Sequence, residues 1–132
     1  MKYELVILEA HLLKPHEQSI PELLEETMEA IRREGYVRAP ILVENRHYVI
    51  LDGHHRYHAL VGLGCKRIPV YLVDYFQEDI SVGTWPGAIV DHVTKEGVIK
   101  KVLDGELFPP KTTRHIVKTD LRDSPIALDD LR

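Results

Sequence analysis

The chain has 132 residues, 44% of them apolar and 29% charged, which is enough for one compact domain with its own core and is ordinary for a globular protein. Seventeen Lys and Arg against 21 Asp and Glu give a net charge of −4, which argues against a nonspecific nucleic-acid binder. A single cysteine excludes an intrachain disulfide, and no apolar run approaches the length that crosses a bilayer, so a single cytoplasmic domain over residues 1–132 is expected.

In chain order, Tyr3 to Leu8 reads as a strand, followed by a polar link through Lys14-Pro15-His16-Glu17-Gln18. A helix is expected from Ser19, with Ser19 and Glu22 as a capping box, Pro21 in the first turn, Leu24, Met28 and Ile31 on one face, and Gly35 as its stop. Pro40 to Glu44 and His47 to Leu51 read as a hairpin around Asn45-Arg46. A glycine turn, a helix to Gly64 and a strand from Ile68 to Asp74 follow. After Trp85-Pro86-Gly87 the pattern predicts a helix from about Val93 to Leu103, a proline-stiffened polar loop, and a short strand around Ile116 to Lys118. This alternation is α/β (α+β), with no repeat and no low-complexity segment.

The chemistry concentrates where the apolar run Tyr48 to Leu51 meets Asp52-Gly53-His54-His55-Arg56. Glycine permits a sharp turn and close approach of a ligand, and the free N–H groups of the helix start that follows attract anions. Arg56 with His54 and His55 would add side-chain donors, so the stretch suits a polyphosphate, and Asp52 could hold a divalent metal beside it. The plain alternative is that Asp52 only caps the helix and the histidines are solvated. His54 and His58 also share the i, i+4 spacing of helical zinc pairs, but no third ligand is evident. Cys65, after Gly64 at a helix end, reads as a small packing residue rather than a nucleophile.

Three further places carry reactive groups. Glu17 could serve as a base, although the residues alone favour a solvated acid near a helix N-terminus. Lys111-Thr112-Thr113-Arg114-His115 sets two cations, two hydroxyls and an imidazole in five residues, equipment for a carboxylate or phosphate. Trp85, the only tryptophan, is either a core plug or a pocket wall.

The Asp52 to Arg56 box resembles the phosphate-binding box of the ParB/sulfiredoxin superfamily. Lys14-Pro15-His16-Glu17-Gln18, Asp74-Tyr75-Phe76 with Thr84-Trp85, and Gly105 to Phe108 leading into Pro110 to His115 occur in the same order in its archaeal free serine kinases. The resemblance implies a ParB/sulfiredoxin-like domain with a small mixed sheet and flanking helices. It further implies transfer of a phosphoryl group to free L-serine, giving O-phospho-L-serine for cysteine synthesis. On matching positions Glu17 would be the base, and Asp52 would assist the metal or the hydroxyl. Gly53, His54, His55 and Arg56 would bind the phosphates, while Trp85, Lys111, Thr112, Thr113, Arg114 and His115 would hold the amino acid.

Better-known members of that family carry an insertion between the tryptophan segment and the threonine-arginine-histidine loop, where this sequence has only Pro86 to Pro109. The donor implied is an adenine nucleotide, ATP or ADP, with ATP expected for this compact form, and Mg²⁺ accompanies either. Sulfiredoxins resemble the same box but place a reactive cysteine where this chain has His54. A ParB-like nucleotide-binding regulator or nuclease acting on DNA is the other function the box implies.

Overall fold

The computed structural model describes residues 1–90 and 92–132. Its order is β1 (Glu4–Glu9), α1 (Pro21–Glu34), β2 (Tyr36–Val37), β3 (Ile41–Glu44), β4 (Ile50–Asp52), α2 (His54–Gly62), β5 (Arg67–Val73), β6 (Ile80–Thr84), α3 (Lys95–Leu103), β7 (Thr113–Val117) and β8 (Ile126–Ala127), with single 3₁₀ turns at Ala10–Leu12 and Leu128–Asp130. The mixed α/β architecture matches the expected class.

The main sheet runs β1-β5-β3-β4, with β3 parallel to β5 and the other pairs antiparallel. Alternate residues of its strands feed two cores. Ile41, Val43, Ile50, Ile68 and Val70 pack with Ile31 of α1 and Ala59 and Leu60 of α2. Leu42, Leu51, Tyr71 and Val73 pack instead with Val98 and Ile99 of α3, together with Tyr75, Ile80 and Phe108. Strands buried on both faces read as continuous apolar runs, which is why β3 and β5 stand out in the sequence. Cys65 is buried in the first of these cores, and burial pushes its thiol pKa up, in keeping with a packing role.

Several boundaries differ from the sequence reading. The capping box does not form: Ile20 is the N-cap of α1, no side chain caps it, and Ser19 Oγ is buried without a partner. Pro21 at the first helical position moves the N-cap one residue past Ser19, to Ile20. Gly35 ends the helix in the left-handed region, as expected. The second hairpin strand begins at Ile50, not His47, because Tyr48 takes a left-handed φ of 59°. α2 stops at Gly62, and Thr94 caps α3, its Oγ1 accepting from the Gly97 N–H at 2.9 Å.

Four short strand pieces pair only at long range. β2 pairs with β8, and β6 pairs antiparallel with β7 from Ile80↔Val117 to Thr84↔Thr113. Thr113, Arg114 and His115 are therefore strand residues, not part of a polar loop, and the strand ends at Val117 rather than Lys118.

The hairpin turn is organised from inside by Glu44. Its buried carboxylate accepts hydrogen bonds from the backbone N–H groups of Arg46, His47 and Val49. Glu44→Ala strips three amides of their acceptor, and we expect a loss of about 2–4 kcal/mol in urea unfolding. A loss below about 0.5 kcal/mol would show that water replaces the carboxylate at no cost.

Candidate active site

β4 delivers the chain to Gly53, which takes a φ of 102° and opens α2 with no side-chain cap. A Cβ at Gly53 would lie 2.5 Å from Ile41 Cγ2 and 3.0 Å from Arg56 Nη2, so only glycine fits between strand and helix. The first amides of a helix have no intrahelical acceptor, and here the residues that carry them line the same cavity as Arg56. Arg56 Nη1 donates to the carbonyls of Ala39 and Pro40, both at 3.1 Å, which fixes the guanidinium. Asp52 keeps only a 3.5 Å contact with Arg56 and leaves 70% of its side chain exposed.

Above this turn runs the Lys14–Gln18 segment, laced on both sides. Lys14 N–H donates to Tyr48 O and Ile50 N–H to Lys14 O, each at 2.9 Å. On the other side Phe108 N–H donates to His16 O at 2.8 Å and Gln18 N–H to Phe108 O at 2.9 Å. The consequence is a rigid mount for Glu17. Its Oε1 accepts from the N–H groups of Thr112 and Thr113, both at 2.7 Å, just after Lys111 turns the chain with a left-handed φ of 58°. Burial raises the Glu17 pKa, and the two threonine amides pull against that rise. Glu17 is thus no solvated surface acid.

The histidines here are neutral donors and acceptors rather than charges. His16 is fully buried; its Nδ1 faces the Ile50 carbonyl at 2.6 Å and therefore carries the proton, which leaves Nε2 to accept from the Thr113 hydroxyl at 2.7 Å. Burial lowers its pKa to about 4, against the pull of that carbonyl. His115 meets Tyr75 Oη through Nε2 at 2.7 Å, and burial brings its pKa to about 3. His54 is held well below the ordinary value by burial and by the neighbouring imidazoles, and His55 is lowered by partial burial and by Lys111. Arg56 is then the fixed positive charge of the box.

Trp85, at the end of β6, is a wall and not a core plug: it is 37% exposed, with Arg114 4.7 Å and Lys111 5.5 Å from its ring centre. One cavity of about 280 Å³ is lined by Glu17, Asp52, Gly53, His54, His55, Arg56, Trp85, Lys111, Thr113, Arg114 and His115, along with Leu51. Of the residues that the resemblance implied for catalysis or for binding phosphate and amino acid, only Thr112 is absent from that lining; it is buried behind, its hydroxyl donating to Pro109 O at 2.7 Å. His58 packs edge-on against Tyr57, and among the described residues no group of three or more His, Cys, Asp or Glu converges as a metal cage. Sequence reasoning assigned no role to His16 or Tyr75, although both lie in the ordered motifs, because each acts through a partner far away in the chain.

A strand–glycine–helix turn with free amides faces a half-buried carboxylate across one polar cavity on a small mixed sheet, an α/β arrangement that suits an anionic ligand. Residues 3–82 match the model of the ParB N-terminal domain, and the chain belongs to that family. It is 40% identical over 96 residues to an "ATP-dependent L-serine kinase" of Staphylothermus marinus, covering 70% of this chain and 38% of the relative. It is 36% identical over 108 residues to the "ADP-dependent L-serine kinase SerK" of Thermococcus kodakarensis, covering 74% of this chain and 45% of that protein. The matched part thus spans less than half the length of these curated relatives. A solved structure described as "Free serine kinase in complex with AMP" superposes with a TM-score of 0.91 at 22% identity, covering 100% of this chain and 95% of that one, which establishes the shared fold.

The buried histidines set a pH dependence. Unfolded, His16 and His115 take up protons near 6.5; folded, only near about 4 and about 3. Between those values the unfolded chain binds more protons, so stability is full above pH 6.5 and falls as the pH drops toward 4 and 3. Glu17 acts in the opposite sense above the ordinary carboxylate range, but one carboxylate is outweighed by two histidines. We expect the urea midpoint to fall steadily from pH 7 to pH 4, by up to about 1.4 kcal/mol per pH unit for each histidine. His16→Asn should flatten the profile; an unchanged slope would remove His16 from it.

Proposed function

We propose that this chain is a free L-serine kinase that transfers the terminal phosphoryl group of ATP, or of ADP, to the serine hydroxyl. The product would be O-phospho-L-serine, a precursor for cysteine synthesis. The observation that carries this reading is that Glu17, a half-buried carboxylate with raised pKa, shares one small cavity with the α2 start and with a Trp85–Arg114–Lys111 cluster. The names of the relatives support it, and they do not favour a DNA-acting regulator or nuclease.

In this reading the amide bonds of Glu17 fall on Oε1, and Oε2 takes the proton of the serine hydroxyl. As the serine oxygen bonds to phosphorus, the phosphoanhydride bond breaks and the nucleotide leaves with one phosphate fewer. The first amides of α2 and the pinned Arg56 offset the charge on the transferring group. Arg114, stacked on Trp85, pairs with the amino-acid carboxylate, and Lys111 adds a second cation beside it. A loose phosphoryl-transfer transition state asks for positioning more than for a strong base, so a carboxylate suffices.

Mg²⁺ fits these residues. Asp52 offers an exposed carboxylate with only a long contact to Arg56, and Mg²⁺ is commonly held by one or two carboxylates together with phosphate oxygens and water. When bound, the ion would draw negative charge from the phosphate oxygens.

The test is to incubate the protein with Mg²⁺, L-serine and either ATP or ADP, and to follow phosphoserine by mass spectrometry. Product from either donor supports the kinase and names the nucleotide; none from either, with folded protein, removes the proposal. Glu17→Gln should lower kcat by about 10²–10⁴ with little change in serine KM. Arg114→Ala should instead raise serine KM by about 10–100-fold, the loss of a charge-assisted pair. Full turnover in Glu17→Gln would take that residue out of the chemistry.

A further inference from the structure

The irregular segment that carries Glu17 is tied to the start of α2 by two adjacent imidazoles. The backbone N–H of His16, one residue before Glu17, donates to His54 Nε2 at 3.1 Å. The backbone N–H of Ile20, three residues after it, donates to His55 Nε2 at 3.0 Å. Neither amide belongs to the strand-like pairing that laces Lys14 and Gln18 in place, and Ile20 has no side chain able to cap α1. Left without these rings, the buried His16 N–H would need another acceptor in the interior and the half-buried Ile20 N–H another at its edge.

A backbone N–H can only donate, so each Nε2 must be the bare, accepting nitrogen of its ring, and the ring proton sits on Nδ1. Successive residues of a helix point about 100° apart, which lets neighbouring rings reach amides four residues apart in a crossing segment. The first ring has little freedom: His54 is 8% exposed and packs edge-on against His16, with ring centres 4.6 Å apart. His16 in turn holds the Thr113 hydroxyl, and the Thr113 N–H holds Glu17. The path from the anion-binding turn to the carboxylate is closed by hydrogen bonds at every step.

We propose that His54 and His55 are positioning residues, a two-imidazole clamp whose Nε2 atoms accept the amides flanking Glu17 and so fix that carboxylate relative to the amides of the α2 start. Their task is distance and orientation, and only Nδ1–H is left for any ligand. The catalytic consequence rests on the kinase reading; the clamp itself rests on the two hydrogen bonds alone.

The direct test is long-range ¹H–¹⁵N correlation on the ¹⁵N-labelled full chain, with the two rings assigned from the signals lost in His54→Gln and His55→Gln. Both rings are expected as the Nδ1–H tautomer. The Nε2–H tautomer or a doubly protonated ring at either position at neutral pH would overturn the clamp. Kinetics supply the second arm, because a Gln Oε1 can stand where Nε2 stands and accept the same amide, whereas Met cannot. His54→Met should lower kcat at least about tenfold while the calorimetric Kd for ADP changes less than about threefold, and His54→Gln should recover most of the loss. Equal losses in both variants, or weakened ADP binding with kcat retained, would overturn the positioning role. Absence of phosphoserine from the unsubstituted chain would count against the kinase alone, since the tautomer measurement does not depend on turnover.

Discussion

Two backbone N–H groups converging on one carboxylate oxygen are the interaction around which this domain is arranged. Glu17 comes from a segment near the N-terminus and Thr112 and Thr113 from the start of β7, so the bond closes a loop of more than ninety residues. Burial penalises the ionised carboxylate, and the two amides return part of that cost. The result is a half-buried carboxylate held by backbone amides rather than by an ion pair. Such a group can take up a proton at modest energetic expense when a hydroxyl is brought to it.

Charge in the cavity is divided by function. Positive charge comes from Arg56 at the α2 start and from Arg114 and Lys111 on the tryptophan side, each constrained by carbonyls or by the indole face. The imidazoles between them are kept neutral by burial and supply directed hydrogen bonds. A cavity this small could not accommodate a further cluster of cations without mutual repulsion, and neutral rings avoid it while still organising the backbone.

The fold supplies the rigidity that this arrangement needs. Strands β3, β4 and β5 feed buried residues to both cores, so the end of β4 that leads through Asp52 to Gly53 cannot shift without disturbing two cores. Glu44 holds the preceding turn from within, and Val49, at the end of that turn, pairs with Lys14. Among the described residues, the left-handed non-glycine positions are Tyr48 and Lys111, both beside segments that address the cavity. No helix among the described residues is long and apolar enough to cross a membrane.

The sequence alone determined the elements whose signals are local. Periodicity and glycines located α1, α2 and the buried strands β3 and β5, and Asp52-Gly53-His54-His55-Arg56 announced the strand–glycine–helix turn, because a strand end, a glycine turn and a helix start are set by neighbouring residues. The tertiary structure decided what depends on partners distant in the chain. β2, β6 and β8 are short and carry little pattern of their own, and they are strands only because β8, β7 and β2 lie beside them. Glu17 looks in sequence like any acid near a helix, and its environment is made by Thr112 and Thr113. His54 and His55 read in sequence as phosphate donors or solvated rings, and the fold makes their Nε2 atoms acceptors for the amides of His16 and Ile20, burial of His54 and partial burial of His55 lowering both pKa values. Propensity acts between neighbours, whereas burial and hydrogen-bond partnership are assigned only when the chain closes on itself.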